Sequence, residues 1–262
     1  MSSAPIGIFD SGVGGLTVAR AILDQLPNES TIYIGDTARG PYGPRPLAEV
    51  RDFALATIDF LVEQGVKAVV IACNTASTIA LAHVRSALDL PVVGTVPAVK
   101  PAALLSKARV IGVLGTEATV RQPYVDNLVA EFASDCRVLR HGSADLVDMA
   151  EAKLRGEPPS PDAMRRVLDG LYSQPGGDQI DAVVLACTHF PLLAREISAA
   201  SPPNVALVDS GEGIARRTAH LTKGQDWPTL PTGRAVFSKQ EDWAKALKPA
   251  LDAYGLTKID YL

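Results

Sequence analysis

The sequence is 262 residues long, 47% hydrophobic and 21% charged, with a formal net charge of -4. These values are typical of a globular protein with one large domain or two modest ones, and the acidic balance disfavours direct nucleic-acid binding. No apolar run reaches the ~20 residues of a membrane span, and the first ten residues lack a signal-peptide pattern, so we expect a cytoplasmic protein without a membrane partner.

Short apolar runs alternate with amphipathic stretches along the chain. The runs predict strands at residues 6–9, 31–34, 68–72, 92–93, 110–114, 137–139, 182–186 and 205–208. The stretches between them predict helices, among them residues 47–63, 76–87, 119–132, 145–154, 163–171 and 192–199. This alternation is typical of βαβ units with parallel strands. The strands at 68–72 and 182–186 are continuously apolar, which suits sheet centres covered on both faces.

Two pairs of segments within the chain resemble each other. GVKAVVIACNTAS at residues 65–77 matches QIDAVVLACTHFPL at residues 179–192, and IGIFDSGVGGLTV from Ile6 matches IGVLGTEATV from Ile111. Two similar α/β halves, each with a cysteine after its apolar strand, account for both pairs. Chance similarity between buried strands accounts for the first pair alone, because Ala-Val-Val is a common string in such strands.

The three cysteines, Cys73, Cys136 and Cys187, form no recognisable disulfide or redox pattern. Their number is odd and no C-x-x-C is present, so we expect reduced thiols. Cys187 and His189 are two residues apart, but the further ligands of a structural zinc site are missing, so we expect no metal. Cys136 has no special context, and we interpret it as structural.

Polar residues follow several predicted strands, and ligands of open α/β sheets bind beyond the carboxyl ends of strands. The groups in question are Asp10-Ser11, Cys73-Asn74-Thr75, Thr116 and Cys187-Thr188-His189. Both cysteines lie where a strand is followed by a predicted helix. A helix N-terminus stabilises a thiolate, so the matching positions favour reactive thiols over the alternative of small buried hydrophobes.

The loop at residues 10–17 resembles a dinucleotide-binding fingerprint but departs from it. Gly12 and Gly14 fit, whereas Thr17 stands at the third glycine position and Asp36 is an unconvincing ribose ligand. We interpret the glycines as bringing the backbone close to a small anion such as a carboxylate, with Asp10 as a plain helix cap as the alternative. No phosphate-binding loop or Schiff-base lysine motif is present, so no cofactor is expected.

Two further positions are ambiguous from the residues alone. Tyr42 and Gly43 belong to a turn-rich loop, GPYGPRP, that either closes over a ligand or is an ordinary irregular loop. Glu151 lies in the predicted helix 145–154 and by itself is a solvated surface carboxylate.

Taken together, these segments resemble the glutamate racemase family. The resemblance rests on IGIFDSGVGGLTV at residues 6–18, PYG at 41–43, ACNTAS at 72–77, VLGTEATVRQPY at 113–124 and ACTHFPLL at 186–193. These blocks span most of the chain in the family's order. The sequence departs from the family pattern at Gly115, Ala186 and Phe190, none of which removes a titratable group.

The resemblance implies an α/β fold with two pseudo-symmetric domains, each a mainly parallel sheet flanked by helices, and an active site at their interface. We place the first domain at residues 1–97 plus 208–262 and the second at residues 98–207. Family members are often homodimers, so the resemblance also implies a homodimer. It implies glutamate as a small-molecule substrate and a role in supplying D-glutamate for peptidoglycan.

The resemblance implies a cofactor-independent interconversion of L- and D-glutamate in which Cys73 and Cys187 are the acid/base pair. Carried over residue by residue, it places around the substrate Asp10, Ser11, Tyr42, Gly43, Asn74, Thr75, Thr116, Thr119, Thr188 and His189. Glu151 matches a helical glutamate that assists Cys187 or its neighbour His189.

The chemistry of racemisation agrees with two thiols. A proton leaves one face of the α-carbon and another returns to the opposite face, so two opposed groups are needed. Following the family, we predict that Cys73 deprotonates D-glutamate, assisted by Asp10, and that Cys187 deprotonates L-glutamate, assisted by His189. Charge on the α-carboxylate is expected to be stabilised by Asn74, Thr75, Thr188 and backbone N–H groups at the two helix starts.

Two alternative functions remain at this point. An aspartate racemase would share both cysteines and differ in pocket depth, although the Asp-Ser-Gly-Val-Gly-Gly loop favours glutamate. A non-catalytic protein-binding role is the other, and the presence of both cysteines disfavours it. A decarboxylase of the same superfamily would be expected to keep only one cysteine of the pair.

Overall fold

The computed structural model describes residues 3–240 and 246–262, which form two compact units. The first unit contains the chain up to Thr95 together with the segment from Gly211 onward, and the second is Val96–Ser210. The sequence prediction divided the chain after residues 97 and 207.

The strands and helices alternate through most of the chain. The strands are β1 Ile6–Asp10, β2 Thr31–Gly35, β3 Ala68–Ile71, β4 Val92–Gly94, β5 Val110–Gly115, β6 Arg137–Gly142, β7 Ala182–Leu185, β8 Ala206–Val208, β9 Gly233–Phe237 and β10 Lys258–Tyr261. The helices are α1 Leu16–Gln25, α2 Leu47–Glu63, α3 Asn74–Ala87, α4 Val99–Leu105, α5 Glu117–Val120, α6 Pro123–Phe132, α7 Asp145–Leu154, α8 Pro161–Tyr172, α9 Ala194–Ala200, α10 Gly211–Leu221 and α11 Lys248–Ala253. Short 3-10 helices occupy Gly177–Gln179 and Phe190–Leu193.

The first unit is built on a parallel sheet with strand order β10-β9-β2-β1-β3-β4. The central strands are fully buried, as expected for apolar runs covered on both faces. Phe9, Val69 and Ile71 pack with buried residues of α2 and α3, and α1 packs with α10. Strands β9 and β10 extend the sheet beyond β2, so the C-terminal segment belongs to the first unit.

The second unit is built on a smaller parallel sheet with strand order β6-β5-β7-β8. One face packs against buried residues of α7, α8 and α9, including Leu146, Leu168 and Ile197. The other face packs against α4 and α6. Both units therefore confirm the predicted fold class of mainly parallel sheets flanked by helices.

The repeated sequence segments occupy the same places in the two sheets. In the first sheet Ile6 pairs with Ala68 and Gly7 with Val69, and in the second Ile111 pairs with Ala182 and Gly112 with Val183. The order β2-β1-β3-β4 corresponds to β6-β5-β7-β8. Two similar α/β halves account for this match in both order and register, whereas similarity between single buried strands does not.

One predicted helix is divided in the structure, and another begins as a 3-10 turn. The single helix expected at residues 119–132 is divided into α5 and α6, because Pro123 cannot continue the first helix and instead starts the second. The helix expected at residues 192–199 begins as a 3-10 turn at Phe190, and α9 starts only at Ala194. Among the helices that the structure describes, none has the length and apolar character to cross a membrane.

Candidate functional site

The structure gathers the predicted site residues into two groups, one in each unit. The first group lies at the carboxyl ends of β1, β2 and β3 and in the segments that follow them: Asp10, Ser11, Tyr42, Gly43, Cys73, Asn74 and Thr75. The second group follows β5 and β7 or lies on α7: Thr116, Thr119, Glu151, Cys187, Thr188 and His189. Ligand sites of parallel sheets occur at these strand ends.

Cys73 lies at the N-terminus of α3 and is 6% exposed. Its sulfur accepts the backbone N–H of Ala76 at 3.4 Å, and its thiol donates to Ser11 Oγ at 3.5 Å. A helix N-terminus favours negative charge, so this arrangement stabilises a thiolate at Cys73. The predicted position of this cysteine at a helix start is therefore confirmed.

The turn after β1 is held by the carboxylate of Asp10, which is fully buried. Asp10 Oδ2 accepts the backbone N–H of Gly12 at 3.0 Å. A Cβ atom on Gly15 would lie 2.6 Å from Cβ of Asp10, so this close approach requires glycine. The residue that caps α1 is Gly15, and the alternative interpretation of Asp10 as a plain helix cap is wrong.

Asn74 and Thr75 form the buried first turn of α3. Within the part of the chain that the structure describes, the side-chain oxygen Oδ1 of Asn74 has no hydrogen-bond partner. A buried acceptor left unpaired costs about 1–3 kcal/mol, which a ligand with an N–H donor would recover. This oxygen beside Cys73 therefore suits an ammonium group.

Tyr42 is 1% exposed, and its hydroxyl donates to Asp36 Oδ2. Burial and the neighbouring Asp36 carboxylate raise the pKa of Tyr42. Asp36 also accepts hydrogen bonds from Arg39 Nε at 2.9 Å and Ser238 Oγ at 2.7 Å. The sequence alone does not indicate this anchoring role of Asp36, for which a carboxylate directly after a buried strand is the only signal. Gly43 next to Tyr42 is half-buried.

Cys187 follows β7 at the place that Cys73 takes after β3, and it is 7% exposed. The expectation of a helix start at this cysteine is wrong, because a 3-10 turn begins at Phe190 and α9 begins at Ala194. Pro191 within that turn lacks a backbone N–H, and the turn is too short to provide the N-terminal field of an α-helix. Stabilisation of a thiolate at Cys187 would therefore come from side chains.

Those side chains are His189 and Glu151. Cys187 Sγ lies 3.9 Å from His189 Nδ1, and His189 Nε2 lies 3.2 Å from Glu151 Oε1. Burial raises the pKa of Glu151, but the hydrogen bond and charge of His189, together with the charge of Arg155, outweigh it and hold that pKa below its usual value. Glu151 is 37% exposed and is part of a thiol–imidazole–carboxylate chain, so it is not merely the solvated surface carboxylate that the residues alone indicate.

The threonines of the second group hold local structure. Thr116 caps α5 by accepting the backbone N–H of Thr119 at 3.2 Å, and the two hydroxyls are 3.0 Å apart. Thr119 is fully buried and Thr188 is 6% exposed. These hydroxyls lie at the ends of β5 and β7, where they can offer hydrogen bonds to a polar ligand.

Cys136 has surroundings unlike those of the other two cysteines. Burial is the largest of the effects that raise the pKa of its thiol, which disfavours a reactive thiolate. In residues 3–240 and 246–262 no group of three or more His, Cys, Asp and Glu side chains is arranged to hold a metal ion.

Comparison with known proteins identifies relatives over almost the whole chain. The family model for Asp/Glu/Hydantoin racemase matches residues 6–218. The glutamate racemase of Sphingopyxis alaskensis is 54% identical over 259 residues, which cover 98% of this chain and 97% of that protein.

Solved structures of glutamate racemases are also similar to this chain over almost its whole length. The crystal structure of Escherichia coli glutamate racemase in complex with L-glutamate and the activator UDP-MurNAc-Ala has a TM-score of 0.90 and 40% identity, covering 99% of this chain and 98% of that one. Glutamate racemase isoform RacE1 from Bacillus anthracis has a TM-score of 0.86 and 31% identity, covering 100% of this chain and 98% of that one.

Proposed function

This chain belongs to the Asp/Glu/Hydantoin racemase family, and we propose that it interconverts L-glutamate and D-glutamate without a cofactor. The observation that carries the proposal is the pair of buried thiols, Cys73 and Cys187, each two residues beyond the equivalent apolar strand. The names of the similar proteins, glutamate racemases of several bacteria, support glutamate rather than aspartate as the substrate.

The reaction requires one thiolate and one thiol. With D-glutamate, the Cys73 thiolate takes the α-proton, and the Cys187 thiol then donates its own proton to the opposite face of the α-carbon. The enzyme is left with a thiol at Cys73 and a thiolate at Cys187, which is the form that starts from L-glutamate. Two thiols therefore account for both directions, whereas one base would return the proton to the face from which it came.

Each thiol needs a neighbour that favours its thiolate, because a free cysteine has a pKa of about 8.5. For Cys73 the support is the Ala76 N–H at the start of α3. The Ser11 hydroxyl accepts from the Cys73 thiol and would donate to the thiolate after rotation of its O–H group. Asp10 is proposed to assist the same thiol. For Cys187 the support is His189. Glu151 orients the His189 ring, and its carboxylate stabilises the protonated form of His189.

Proton transfer alone does not account for the reaction, because the α-proton is far less acidic than any protein base. General acid–base catalysis contributes about 10²–10⁴-fold, and stabilisation of charge developing on the α-carboxylate must supply the rest. Thr75, Thr188 and backbone N–H groups at the start of α3 are the proposed donors. We propose that Asn74 Oδ1 accepts a hydrogen bond from the substrate ammonium, which would satisfy this buried oxygen.

The biological setting is proposed from the family. D-glutamate is a component of bacterial peptidoglycan, so the enzyme would supply this precursor in the cytoplasm, and a homodimer is the proposed assembly. The acidic balance of the sequence supports a small-molecule enzyme rather than a nucleic-acid-binding protein.

Circular dichroism of L-glutamate tests the proposal. Purified protein with no added cofactor should bring the signal to zero, and the variants Cys73→Ala and Cys187→Ala should not. Cys136→Ala is the matched control, because it removes the third cysteine of the chain and should racemise glutamate at the wild-type rate.

L-aspartate separates the proposal from its alternative. Decay with L-aspartate and none with L-glutamate would identify an aspartate racemase, and decay with neither substrate would contradict the catalytic proposal.

A further inference from the structure

Two buried hydroxyls hold the backbone directly before Cys73. The Thr95 hydroxyl lies 2.8 Å from the carbonyl oxygens of both Ile71 and Ala72, to which it donates. Ser77 Oγ donates to the Ile71 oxygen at 3.0 Å and accepts the Thr95 N–H at 2.9 Å. Thr95 is 2% exposed and Ser77 is 4% exposed, so water does not replace these bonds readily.

This hydroxyl network connects three elements at the point where the thiol is placed. Ile71 ends β3, Ser77 lies in α3, and Thr95 directly follows β4. The Ser77 backbone N–H also bonds to the carbonyl oxygen of Cys73 at 2.9 Å, as part of the first turn of α3. The two hydroxyls therefore bond to the backbone directly before Cys73, and the first turn of α3 begins at the carbonyl group of Cys73 itself.

We propose that Thr95 and Ser77 are positioning residues that fix the Cys73 thiol at the N-terminus of α3. The inference rests on the proposed function for its catalytic consequence, but the position of the thiol can be tested without substrate. Neither hydroxyl acts on the substrate in this proposal. They act through the carbonyl groups of Ile71 and Ala72, both fully buried, which would lose these hydroxyl donors, while Ile71 would keep the Thr95 backbone N–H at 3.2 Å.

In the second unit the thiol is supported by side chains rather than by the start of an α-helix. Cys187 lies beside His189, which a carboxylate orients, and it has no α-helix start next to it. For Cys73 the helix start provides the stabilising N–H, so a displacement of the sulfur away from Ala76 N would remove that stabilisation. The effect of losing the hydroxyl network should therefore be confined to Cys73.

Alkylation by iodoacetamide as a function of pH measures the Cys73 thiolate directly. In the background Cys136→Ala with Cys187→Ala, Cys73 is the single remaining thiol of the chain. Thr95→Val keeps the side-chain shape and removes the hydroxyl. We expect the alkylation midpoint to rise by about one pH unit, with alkylation about tenfold slower at neutral pH. Thr95→Ser, which retains the hydroxyl, should restore the original midpoint.

The matched control is Thr218→Val. Thr218 is fully buried, and its hydroxyl donates to the Ile214 oxygen at 2.9 Å within α10, so its removal costs a comparable buried bond elsewhere in the same unit. Its alkylation midpoint should equal that of the background protein. If Thr218→Val shifts the midpoint as far as Thr95→Val, or if Thr95→Val leaves it unchanged, the positioning role is overturned.

Kinetics in the protein with all three cysteines complete the test. Thr95→Val should lower kcat about tenfold and leave KM within about twofold, since the thiol rather than the substrate contacts is displaced. If Thr95→Val does not fold, Ser77→Ala replaces it and should shift the midpoint upward by a smaller amount; an unchanged midpoint would overturn the inference. A wild-type protein inactive on glutamate would contradict the proposed function and leave the alkylation result decisive for Thr95.

Discussion

At the residue scale, the two thiols have different neighbours although their positions after β3 and β7 are equivalent. Cys73 has a backbone N–H of α3 at 3.4 Å, and Cys187 has an imidazole nitrogen at 3.9 Å. A backbone N–H does not titrate in the physiological range, whereas an imidazole does. We therefore expect the pH dependence of the reaction to reflect His189 more strongly when Cys187 acts as the base.

His189 and Glu151 should contribute unequally to the reaction. His189→Asn should lower kcat by about 10²-fold or more, because it removes the group that we propose assists proton transfer. Glu151→Gln should lower kcat by less than about tenfold, because this side chain is 37% exposed and acts only through His189. The loss of the carboxylate charge also lowers the pKa of His189. In a plot of kcat against pH, the limb that depends on His189 should therefore move to lower pH.

Both variants are measured from each enantiomer at saturating substrate. The two enantiomers have equal free energies, so kcat/KM must stay equal in the two directions, and asymmetry can appear only as proportional changes in kcat and KM and in the α-deuterium isotope effect. Glu157→Gln, an exposed residue just beyond α7, is the control and should match the wild type. A larger loss with Glu151→Gln than with His189→Asn, or a limb that moves to higher pH, would contradict the assignment.

The sequence located the cysteines and their immediate neighbours because strand ends can be identified from apolar runs. It did not reveal the bonds of Tyr42 and Ser238 to Asp36, or those of Thr95 to Ile71 and Ala72. Ser238 meets Asp36, and Thr95 meets Ile71 and Ala72, because of the strand order, which single-sequence patterns do not reveal. Tyr42 lies six residues after Asp36, and the irregular loop between them has no sequence pattern that indicates their contact.

At the element scale, the residues that directly precede the two repeated Ala-Val-Val strands are held by different kinds of bond. Lys67 precedes β3 and pairs with Glu29 at 2.6 Å, and both side chains are 2% exposed. Asp181 precedes β7 and accepts hydrogen bonds from Ser106 Oγ at 2.5 Å and from the Lys107 and Ala108 N–H groups at 2.7 and 2.8 Å. The first is a buried ion pair, and the second is a carboxylate that binds a turn.

Removing one partner of the buried ion pair should lower the free energy of unfolding strongly, whereas replacing both partners by apolar residues should change it little. Lys67→Met leaves Glu29 buried without its counter-charge and should lower the free energy of unfolding by about 3–5 kcal/mol. The double variant Glu29→Leu with Lys67→Met should lie close to the wild type, because neither charge is then buried. Urea unfolding gives both values.

An exposed ion pair serves as the comparison for this double-mutant cycle. Arg20 and Asp24 on α1 are more than half exposed, so Arg20→Met should cost no more than about 1 kcal/mol. Additive losses from the two single substitutions at Glu29 and Lys67 would show that the buried pair is not coupled and would contradict the prediction.

Asp181 should give the second unit an acid-dependent stability. Burial raises the pKa of Asp181, but its hydrogen bonds from the Ala108 and Lys107 N–H groups and from Ser106 outweigh it and lower that pKa. The contribution is therefore complete above the unfolded value of about 3.9 and is lost as pH falls through the lower folded value. Asp181→Asn should cost about 1–3 kcal/mol at neutral pH and show a shallower loss of stability below about pH 4.

Urea unfolding between neutral pH and pH 3 measures this difference. Asp252→Asn is the control, since Asp252 forms a half-exposed ion pair with Lys248 on α11. A constant difference between Asp181→Asn and wild type across the acid range would contradict the lowered pKa of Asp181.

Most elements could be predicted from alternating apolar runs, and the errors have local causes. Pro123 divides one expected helix, and because of the 3-10 turn at Phe190–Leu193 another helix begins later in the chain than expected. No strand was predicted at β9 or β10, because these segments mix polar and apolar residues. Strand β10 forms the edge of its sheet and is only partly buried, so it lacks the apolar run of a central strand.

At the scale of the whole molecule, the chain contains the same four-strand arrangement twice, and each copy has one buried cysteine after its third strand. The internal sequence similarity predicted this duplication, and the matching registers of β1 with β3 and β5 with β7 agree with it. A reaction that needs one proton acceptor and one proton donor at a single carbon fits a chain with two equivalent thiol positions. The central claim is therefore that two thiols, not one, carry out the proton transfers.

Racemisation of L-glutamate in D₂O tests that claim most directly. A thiol in D₂O carries deuterium, so when two thiols act, the first D-glutamate formed contains deuterium at the α-carbon while the remaining L-glutamate retains its hydrogen. Proton NMR at low conversion, with the enantiomers separated, measures both pools. We predict deuterium in the product and essentially none in the unreacted substrate. Equal deuterium in both pools from the earliest times would indicate a single base and would contradict the account.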